Sequence, residues 1–310
     1  MTDVVLSAME KRGWQARLVP VGRCADLWRE LEDRLARGEL DASLFESYLR
    51  PLEKAAHDAP EWVRSILIVS IPVPAASIGF ALRGREVTVG VPPTYLHWRE
   101  IDGSVREVLQ ELIEGTGERA EPVNVPKKLL ATRTGLARYG RNNITYVDGV
   151  GSYHRLVALQ TSLPCEAGPW GDPEPMPSCA ACRACVEACP TGVIGDDRFL
   201  LRAERCITYW NEQPGEVAFP PWIHPTWHNQ LVGCLRCQEV CPVNAGCLTT
   251  ETRGPAFTET ETEALLQGVP IDELPDETVA KLEQHDLLDY LEAFPRNLRV
   301  LLDREPANDG

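Results

Sequence analysis

The stretch "CAACRACVEACP", residues 179–190, carries four cysteines and ends in a proline. Its spacing is C-x2-C-x2-C-x3-C-P, the run with which bacterial ferredoxins hold 4Fe–4S clusters, and the fourth cysteine of such a run binds the other cluster. A second run, "CLRCQEVCP" at residues 234–242, repeats the C-x3-C-P ending, and Cys206 lies upstream of it. The two runs together predict two 4Fe–4S clusters.

The ferredoxin pattern divides eight of the eleven cysteines into two ligand sets. The first set is Cys179, Cys182, Cys185 and Cys241. The second set is Cys206, Cys234, Cys237 and Cys189. A pair of zinc knuckles is the alternative, because zinc sites also use C-x2-C pairs. Zinc explains neither the third close cysteine nor the two C-x3-C-P endings, so we favour the clusters.

The remaining cysteines, Cys24, Cys165 and Cys247, fall outside this pattern and are interpreted as buried or incidental thiols. The start of the chain, "MTDVVLSAMEKRGW", does not resemble a secretory signal. The longest apolar stretch, residues 66–82, contains two prolines, which favours a buried strand that runs into a loop over a membrane span. We therefore expect a cytoplasmic protein with no membrane partner, whose thiols are reduced.

The formal net charge is −15, from 46 acidic and 31 basic residues. Residues 249–310 alone contain 15 acidic and 5 basic residues. Nucleic-acid binding normally depends on clustered Lys and Arg that neutralise phosphates. The charge therefore argues against DNA or RNA as a partner. Lys127, Lys128, Arg133, Arg138 and Arg141 nevertheless form a local basic cluster.

Composition, periodicity and turn signals divide the chain into four segments. Residues 1–63 are predicted to be helical, and residues 64–175 to form an α/β domain for cofactor and substrate. Residues 176–250 form the ferredoxin-like double-cluster domain, and residues 251–310 an acidic helical tail. The expected fold class is thus an α/β (α+β) N-terminal domain with a bacterial-ferredoxin-like double-cluster module and a C-terminal helical segment.

Within the first half, local patterns predict individual elements. Leucines at 27, 31 and 35 recur at helical spacing, and "SILIVSIPV" (65–73) is the best candidate for a central strand. "GSVREVLQELIEG" predicts an amphipathic helix that ends at Gly115, and a further helix is expected over 127–136. Two strand-like runs flank the turn "DGVGS" (148–152), which predicts a hairpin.

The runs "CAACRACVEACPTGVI", "RCITYWNE" and "GCLRCQEVCPVN" resemble the iron–sulfur half of the epoxyqueuosine reductase family. Upstream, "ATRTGLARYGRNNITYVDGVGSYHRL" (131–156) is similar to that family's glycine-containing segment, and "RSILIVSIPVP" (64–74) occupies the place of its early strand. The resemblance covers roughly residues 60–245. It implies cobalamin as a further cofactor, bound beside the clusters.

The resemblance also implies where cobalamin would be bound. It places the corrin pocket in the region from Gly135 to His154. The candidate cofactor-binding residues are Gly135, Gly140, Arg141, Asn142 and Asn143. The last three offer hydrogen-bond donors suited to the amides and phosphate of a large cofactor. Asn is also common in turns for conformational reasons alone, and that interpretation stays open.

The family's proton donor is an aspartate, and its glutamate follows shortly after. The corresponding stretch here, "RAEPVNVPKK", has Glu121 as the nearest acid, and Lys127 at the glutamate position. Candidate catalytic residues are therefore Glu121, Tyr153 and His154. A solvated loop charge, a core tyrosine and a surface histidine are the respective alternatives. On a strand, neighbouring side chains point to opposite faces, so at most one of Tyr153 and His154 faces the pocket.

We therefore predict an iron–sulfur oxidoreductase that passes electrons through two 4Fe–4S clusters to cobalamin, which reduces a substrate. The expected electron donor is a low-potential flavodoxin or ferredoxin. A small-molecule substrate is favoured over tRNA because of the negative charge. The alternative is a non-catalytic electron-transfer protein, or a reductive activator of a partner protein.

Overall fold

The computed structural model describes residues 1–195, 200–247 and 252–302. The chain forms two compact units, and each combines segments that are distant in sequence. The first unit consists of Met1–Val73, Arg99–Arg183 and Ile194–Arg202, and the second of Pro74–Trp98, Ala184–Val193 and Ala203–Gly310.

The strands of the described residues are β1 (Gln15–Pro20), β2 (Ser65–Pro72), β3 (Ala76–Leu82), β4 (Arg85–Val91), β5 (Ala120–Pro122), β6 (Arg138–Tyr139), β7 (Thr145–Tyr146), β8 (His154–Thr161) and β9 (Thr252–Phe257). The α-helices are α1 (Thr2–Glu10), α2 (Arg23–Ala36), α3 (Ala42–Leu44), α4 (Glu53–His57), α5 (Trp98–Ile113), α6 (Lys127–Arg133), α7 (Ala184–Ala188), α8 (Ile207–Asn211), α9 (Arg236–Glu239), α10 (Glu259–Gln267), α11 (Asp276–Gln284) and α12 (Phe294–Leu302). Short 3₁₀ and π turns connect several of them.

The first unit is built on an antiparallel sheet of order β1-β2-β8-β5. Strand β2 is central and buried at every position except Pro72. Leu67, Val69 and Ile71 of β2 pack with α1 and α5. Ile66 and Ile68 pack on the opposite face with α2 and α6. Because successive side chains alternate between faces and both faces are covered, this strand is apolar except for the buried Ser65 and Ser70.

The predicted helices of this unit are confirmed. In α2, Leu27 and Leu31 are buried and Leu35 packs beside them. Helix α5 buries Val105, Leu109 and Ile113, and Gly115 after it has φ of 72°. That left-handed conformation ends the helix at low cost because glycine has no Cβ.

Two local expectations differ from the structure. The segment 1–63 also contains β1, whose backbone pairs with the edge of β2 and thereby completes the sheet. The runs that flank "DGVGS" do not form a hairpin with each other. Strand β7 pairs with β6, whereas β8 pairs with β2 and β5. The long, buried β2 offers β8 eight paired positions, which the two-residue β7 cannot match.

The second unit contains a three-stranded sheet of order β4-β3-β9. Strands β3 and β4 form a hairpin over Arg83 and Gly84, whose φ angles of 52° and 70° are typical of a type I′ turn. This hairpin follows β2 where a loop was expected. Strand β9 pairs in parallel with β3, and the sheet packs against α10, α11 and α12.

The predicted fold class is confirmed, since mixed α/β structure is followed by the cysteine-rich module and C-terminal helices. In the part of the chain that the structure describes, no helix has the length and apolar character that a membrane span requires.

Candidate functional site

The residues predicted to bind a cofactor form a tight turn between β6 and β7. The backbone N–H of Gly140 donates to the carbonyl of Ile144 at 2.8 Å, and that of Asn143 to the carbonyl of Gly140 at 2.9 Å. Asn143 has φ of 62°, a left-handed conformation that asparagine tolerates better than most residues. The turn is therefore fixed by its own backbone.

The two asparagines of this turn differ in their hydrogen bonds. The side chain of Asn142 is buried; it donates to the hydroxyl of Tyr146 at 3.0 Å and accepts from the backbone N–H of Ile144 at 3.3 Å. The Nδ2 of Asn143 is also buried but has no hydrogen-bond partner in the structure. A buried donor without a partner costs about 1–3 kcal/mol, so its retention points to a ligand acceptor.

Glycine is favoured at the two predicted positions, 135 and 140, for different structural reasons. Gly135 follows α6 with φ of 65° and has open space around it. Gly140 has no positive φ, but a Cβ there would lie 2.5 Å from the ring of Tyr146 and 2.6 Å from Oδ1 of Asn142. The turn thus has no room for a side chain at position 140.

Arg141 connects this turn to the first cysteine of the motif. Its backbone N–H lies 3.4 Å from Sγ of Cys179, and its Nη2 donates to the carbonyl of Cys179 at 2.7 Å. N–H groups that point at cluster thiolates are a recurring feature of iron–sulfur sites and tune their potential. The structure therefore brings the predicted cofactor turn and a predicted cluster ligand into direct contact.

His154 and Tyr153 lie at the start of β8. The His154 ring is buried; its Nδ1 lies 3.2 Å from the carbonyl of Gly151 and its Nε2 3.2 Å from the hydroxyl of Thr145. Burial lowers the pKa of His154 to about 4. It is therefore a neutral histidine at physiological pH. Tyr153 is half-buried, and its carbonyl accepts from the backbone N–H of Val73.

Glu121 lies on the short edge strand β5 and is exposed. Its Oε2 is 3.4 Å from Nε2 of Gln160. It lines a wide, open groove of about 810 Å³ between the end of α5 and β5. Four other glutamates line the same groove: Glu107, Glu111, Glu114 and Glu118.

The second predicted cluster set lies entirely in the second unit. Burial raises the pKa of Cys234 to about 12, and the nearby thiols of Cys206 and Cys189 raise it as well. Burial is also the main reason why the pKa of Cys206 is raised. Neighbouring thiols oppose one another's ionisation because two negative charges at short distance repel. They exist together as thiolates only when cations lie between them.

Hydrogen-bond donors accompany these sulfurs. Cys206 accepts from the backbone N–H groups of Thr208 and Tyr209, and Cys234 accepts from that of Arg236. Cys237 lies on α9, which packs against α7. Thiolate ligands with N–H···S bonds match the donor set of a 4Fe–4S cluster. Among the described residues, no three His, Cys, Asp or Glu side chains form a site for a single metal ion.

The first predicted set is distributed over both units: Cys179 and Cys182 belong to the first unit, and Cys185 and Cys241 to the second. The three cysteines outside the motif have ordinary surroundings. Cys24 is buried, Cys165 lies 3.6 Å from the carbonyl of Leu18, and the Cys247 thiol lies 2.9 Å from the carbonyl of Val243.

Sequence reasoning missed several buried or half-buried polar residues of the second unit. Tyr95 donates to the carboxylate of Glu212, and its hydroxyl lies against Gly233. Burial, followed by the charge of Glu212, raises the pKa of Tyr95 well above its usual value. Arg296 and Asn297 of α12 are also buried. Tyr95, Arg296 and Asn297 belong to no motif, so only their three-dimensional placement reveals them, whereas Glu212 is the last residue of the run "RCITYWNE".

Comparison with known proteins supports this picture. A family model described as a 4Fe-4S double cluster binding domain matches residues 178–244, which include all eight motif cysteines. An epoxyqueuosine reductase from Pseudomonas aeruginosa is 33% identical over 161 residues, 48% of this chain and 43% of its own length. One from Escherichia coli is 26% identical over 229 residues, 71% of this chain and 58% of its own length.

Solved structures extend the similarity over nearly the whole chain. The structure of epoxyqueuosine reductase from Bacillus subtilis aligns with this chain with a TM-score of 0.69 and 19% sequence identity. The alignment covers 97% of this chain and 80% of the Bacillus subtilis chain. The chain is similar to epoxyqueuosine reductases in its double-cluster region and in its fold. The resemblance inferred from the cysteine runs is therefore confirmed.

This epoxyqueuosine reductase-like chain spans about half the length of the curated relatives it matches, 43% and 58% for the two named above. A solved epoxyqueuosine reductase with an epoxyqueuosine-modified tRNA-Tyr stem loop has a TM-score of 0.66 to the chain at 18% identity. At that identity the likeness concerns the fold.

Proposed function

We propose that this protein is a reductase that transfers electrons from two 4Fe–4S clusters to a bound cobalamin for the reduction of a substrate. The contact between Arg141 and Cys179 is the observation that carries the proposal. This contact connects the turn of Arg141, which is suited to hold a cofactor, with the segment of Cys179, which is suited to hold a cluster. Electron transfer needs such proximity, whereas a purely structural metal module does not.

The two cluster ligand sets are proposed to be those that the motif assigns. For the second set, the mutual influence of Cys189, Cys206 and Cys234 supports the assignment, because Cys189 comes from the other cysteine run. The N–H donors of Thr208, Tyr209 and Arg236 would stabilise the added negative charge of a reduced cluster.

Cobalamin, when bound, would supply a strongly reducing cobalt centre. The residues of the turn fit such a ligand: Asn143 has a buried N–H donor without a partner, and Gly140 keeps the backbone free of a side chain. His154 is not suited to act as a lower ligand. Both of its ring nitrogens already have neighbours in hydrogen-bond range, Gly151 and Thr145.

The proton for the reduction is proposed to come from Tyr153 or Glu121. Tyr153 is half-buried and follows the loop between β7 and β8, whereas Glu121 is exposed to solvent. His154 is better suited to a positioning role, since it is neutral and holds the loop between β7 and β8 through Thr145 and Gly151. Tyr153→Phe and Glu121→Gln distinguish the two donors by their effect on turnover.

A small-molecule substrate is proposed rather than tRNA. Two arginines of the local basic cluster lie within salt-bridge distance of carboxylates. Arg133 binds Glu30 and Asp172, and Arg138 lies within 3.5 Å of Asp148 and 3.7 Å of Glu174. Paired arginines offer little to the phosphates of a nucleic acid. The proposed electron donor remains a low-potential flavodoxin or ferredoxin.

Anaerobic reconstitution tests the proposal. The protein should contain eight iron atoms, as two 4Fe–4S clusters require, and should bind cobalamin. Asn143→Gly is the informative variant, because glycine accepts the positive φ without strain and the substitution removes the side-chain amide. It should bind cobalamin about tenfold more weakly, the loss of a hydrogen bond worth about 1.4 kcal/mol. Iron at full content without cobalamin binding would instead favour a non-catalytic electron-transfer protein.

A further inference from the structure

An ion pair of the first unit lies at the start of strand β8. Arg155 is on this strand, and its Nε and Nη2 donate to the two carboxylate oxygens of Asp102 on α5, Nη2 at 2.9 Å. The side chains of Arg155 and Asp102 are 15% and 25% exposed. Bidentate pairs of this kind fix the orientation of the guanidinium. Asp102 and Arg155 therefore form a rigid pair without net charge.

Lys127 is close to this pair. The segment that leads to it continues along β8 beyond β5, because the backbone N–H of Val123 donates to the carbonyl of Ala158 at 3.2 Å. Lys127 is then the first residue of α6. Burial lowers the pKa of Lys127; Asp102 raises it and Arg155 lowers it further. Both charges are therefore near its ammonium group, and the cluster contains two cations and one carboxylate.

The ammonium group of Lys127 has no partner among the residues that the structure describes. No hydrogen bond and no ion pair of 4.0 Å or less joins it to any of them. The side chain is nevertheless half-buried. A cation that is withdrawn from water without a partner is costly, and the cost disappears when an anion pairs with it. Lys127 is therefore suited to receive an anion from outside the protein.

The start of α6 is also near the turn that is proposed to hold cobalamin. Nζ of Lys128, the next residue, lies 3.5 Å from the carbonyl of Asn143. Arg155 follows the proposed proton donor Tyr153 by two residues. One lysine of α6 thus contacts the cofactor turn, and the other is near the strand that begins after the proton donor. An anion at Lys127 would lie where a substrate of the reductase is expected.

The local charge indicates which kind of anion fits. The charges that act on Lys127 are those of Asp102 and Arg155, which leaves the cluster with one positive charge in excess. One carboxylate group neutralises this excess. A phosphate monoester carries about two negative charges at neutral pH and would leave a half-buried negative charge without a partner. The cluster therefore favours a carboxylate.

We propose that Lys127 binds a carboxylate group of the substrate, and that the substrate is a small organic acid. The inference rests on the proposed function, because it names the substrate class of that reductase. Lys127 supplies the charge and three N–H donors. Arg155 adds its charge, and Asp102 fixes the orientation of its guanidinium. The interaction is an ion pair with hydrogen bonds, and no covalent bond changes.

The experiment uses full-length, anaerobically reconstituted protein loaded with cobalamin, and hexanoate as the probe. Hexanamide has the same chain without the charge, and hexyl phosphate carries the larger charge. Lys127→Met removes the ammonium group, and Lys127→Arg keeps a positive charge. Lys128→Met is the matched control, because it removes the same charge from the neighbouring, exposed position. Calorimetric titration gives the affinities, and iron content, cobalamin content and thermal unfolding are measured for each protein.

The unmodified protein should bind hexanoate about tenfold more tightly than hexanamide or hexyl phosphate. Lys127→Met should lose this preference, whereas Lys127→Arg should keep most of it and Lys128→Met all of it. Lys127→Met should also unfold at the same or a higher temperature, because it removes a half-buried charge that has no partner in the free protein. A residue with a purely structural role would instead lose stability.

Three results would overturn the inference: equal binding of hexanoate and hexanamide by the unmodified protein, tighter binding of hexyl phosphate, or unchanged hexanoate affinity in Lys127→Met. If Lys127→Met does not fold, the ligand preference of the unmodified protein and of Lys127→Arg still decides. Failure of the proposed function has a different signature. The unmodified protein would then lack eight iron atoms or would not take up cobalamin, whichever carboxylate it binds.

Discussion

Gly140 lies so close to Tyr146 that a Cβ at position 140 would come within 2.5 Å of the tyrosine ring. Tyr146 is buried and its hydroxyl accepts from Asn142, so the ring cannot move aside without breaking that bond. The turn that presents Arg141 and Asn143 therefore depends on the absence of one methyl group.

Gly140→Ala is expected to destabilise the protein by about 3 kcal/mol through overpacking. The matched variant is Gly135→Ala, which has open space and only the left-handed φ to oppose it. It should cost about 1 kcal/mol. Urea unfolding measures both, and equal losses would show that Tyr146 does not constrain the turn.

Cys189→Ala should remove the second cluster although this cysteine belongs to the first run, because its thiol lies near those of Cys206 and Cys234. Iron should fall from eight atoms to about four per chain. Cys247→Ala is the control, since the thiol of Cys247 contacts the carbonyl of Val243 and lies outside the motif. Retention of eight irons in Cys189→Ala would rule out the exchange of ligands between the runs.

His154 makes stability depend on pH. Its pKa is about 4 in the folded protein against 6.5 as the ordinary value, so between these values the unfolded state binds more protons. The contribution of the neutral His154 to the free energy of unfolding is complete above pH 6.5 and is lost as the pH falls toward 4. From this residue alone, the free energy of unfolding should be about 2 kcal/mol lower at pH 5 than at pH 7.

His154→Gln tests that expectation. Glutamine retains a donor and an acceptor for Gly151 and Thr145 but does not titrate. Unfolding curves at both pH values should show a smaller difference for the variant. An identical pH dependence in both proteins would mean that other groups cause it.

The carboxylates around Arg138 should limit tRNA binding. Asp148→Asn combined with Glu174→Gln releases this arginine, and we expect tRNA affinity to increase severalfold with a salt slope steeper by about one unit. The unmodified protein should convert epoxyqueuosine in tRNA poorly when reduced and loaded with cobalamin. Efficient conversion to queuosine would make tRNA the substrate and refute the small-molecule proposal.

Much of the architecture could be predicted because its signals are local. The apolar run of β2 and the periodicity of α5 each lie in one continuous stretch, and the cysteine spacing carries its own chemistry. Strand β1 and the β3–β4 hairpin were missed because backbone pairing, rather than a strong local pattern, determines them.

The same distinction applies to the candidate site. Asn143 and Gly140 lie in a segment whose similarity to a family drew attention to it. The Nη atoms of Arg296 donate to backbone carbonyls, and any sequence provides carbonyls at the end of a helix. No pattern of residue types records that contact, so it could be found only in three dimensions.

The position of α12 in the chain has a consequence for biogenesis. During synthesis, Cys206 and Cys234 leave the ribosome well before Arg296 and Asn297, and β9 pairs with β3 only after the cysteine runs are complete. If a cluster were assembled on the nascent chain, the ligand loops would not yet have the contacts with α12 that hold them together. We therefore expect the second cluster to be inserted after translation, and a chain that ends before α12 to lose it while retaining the sheet of the first unit.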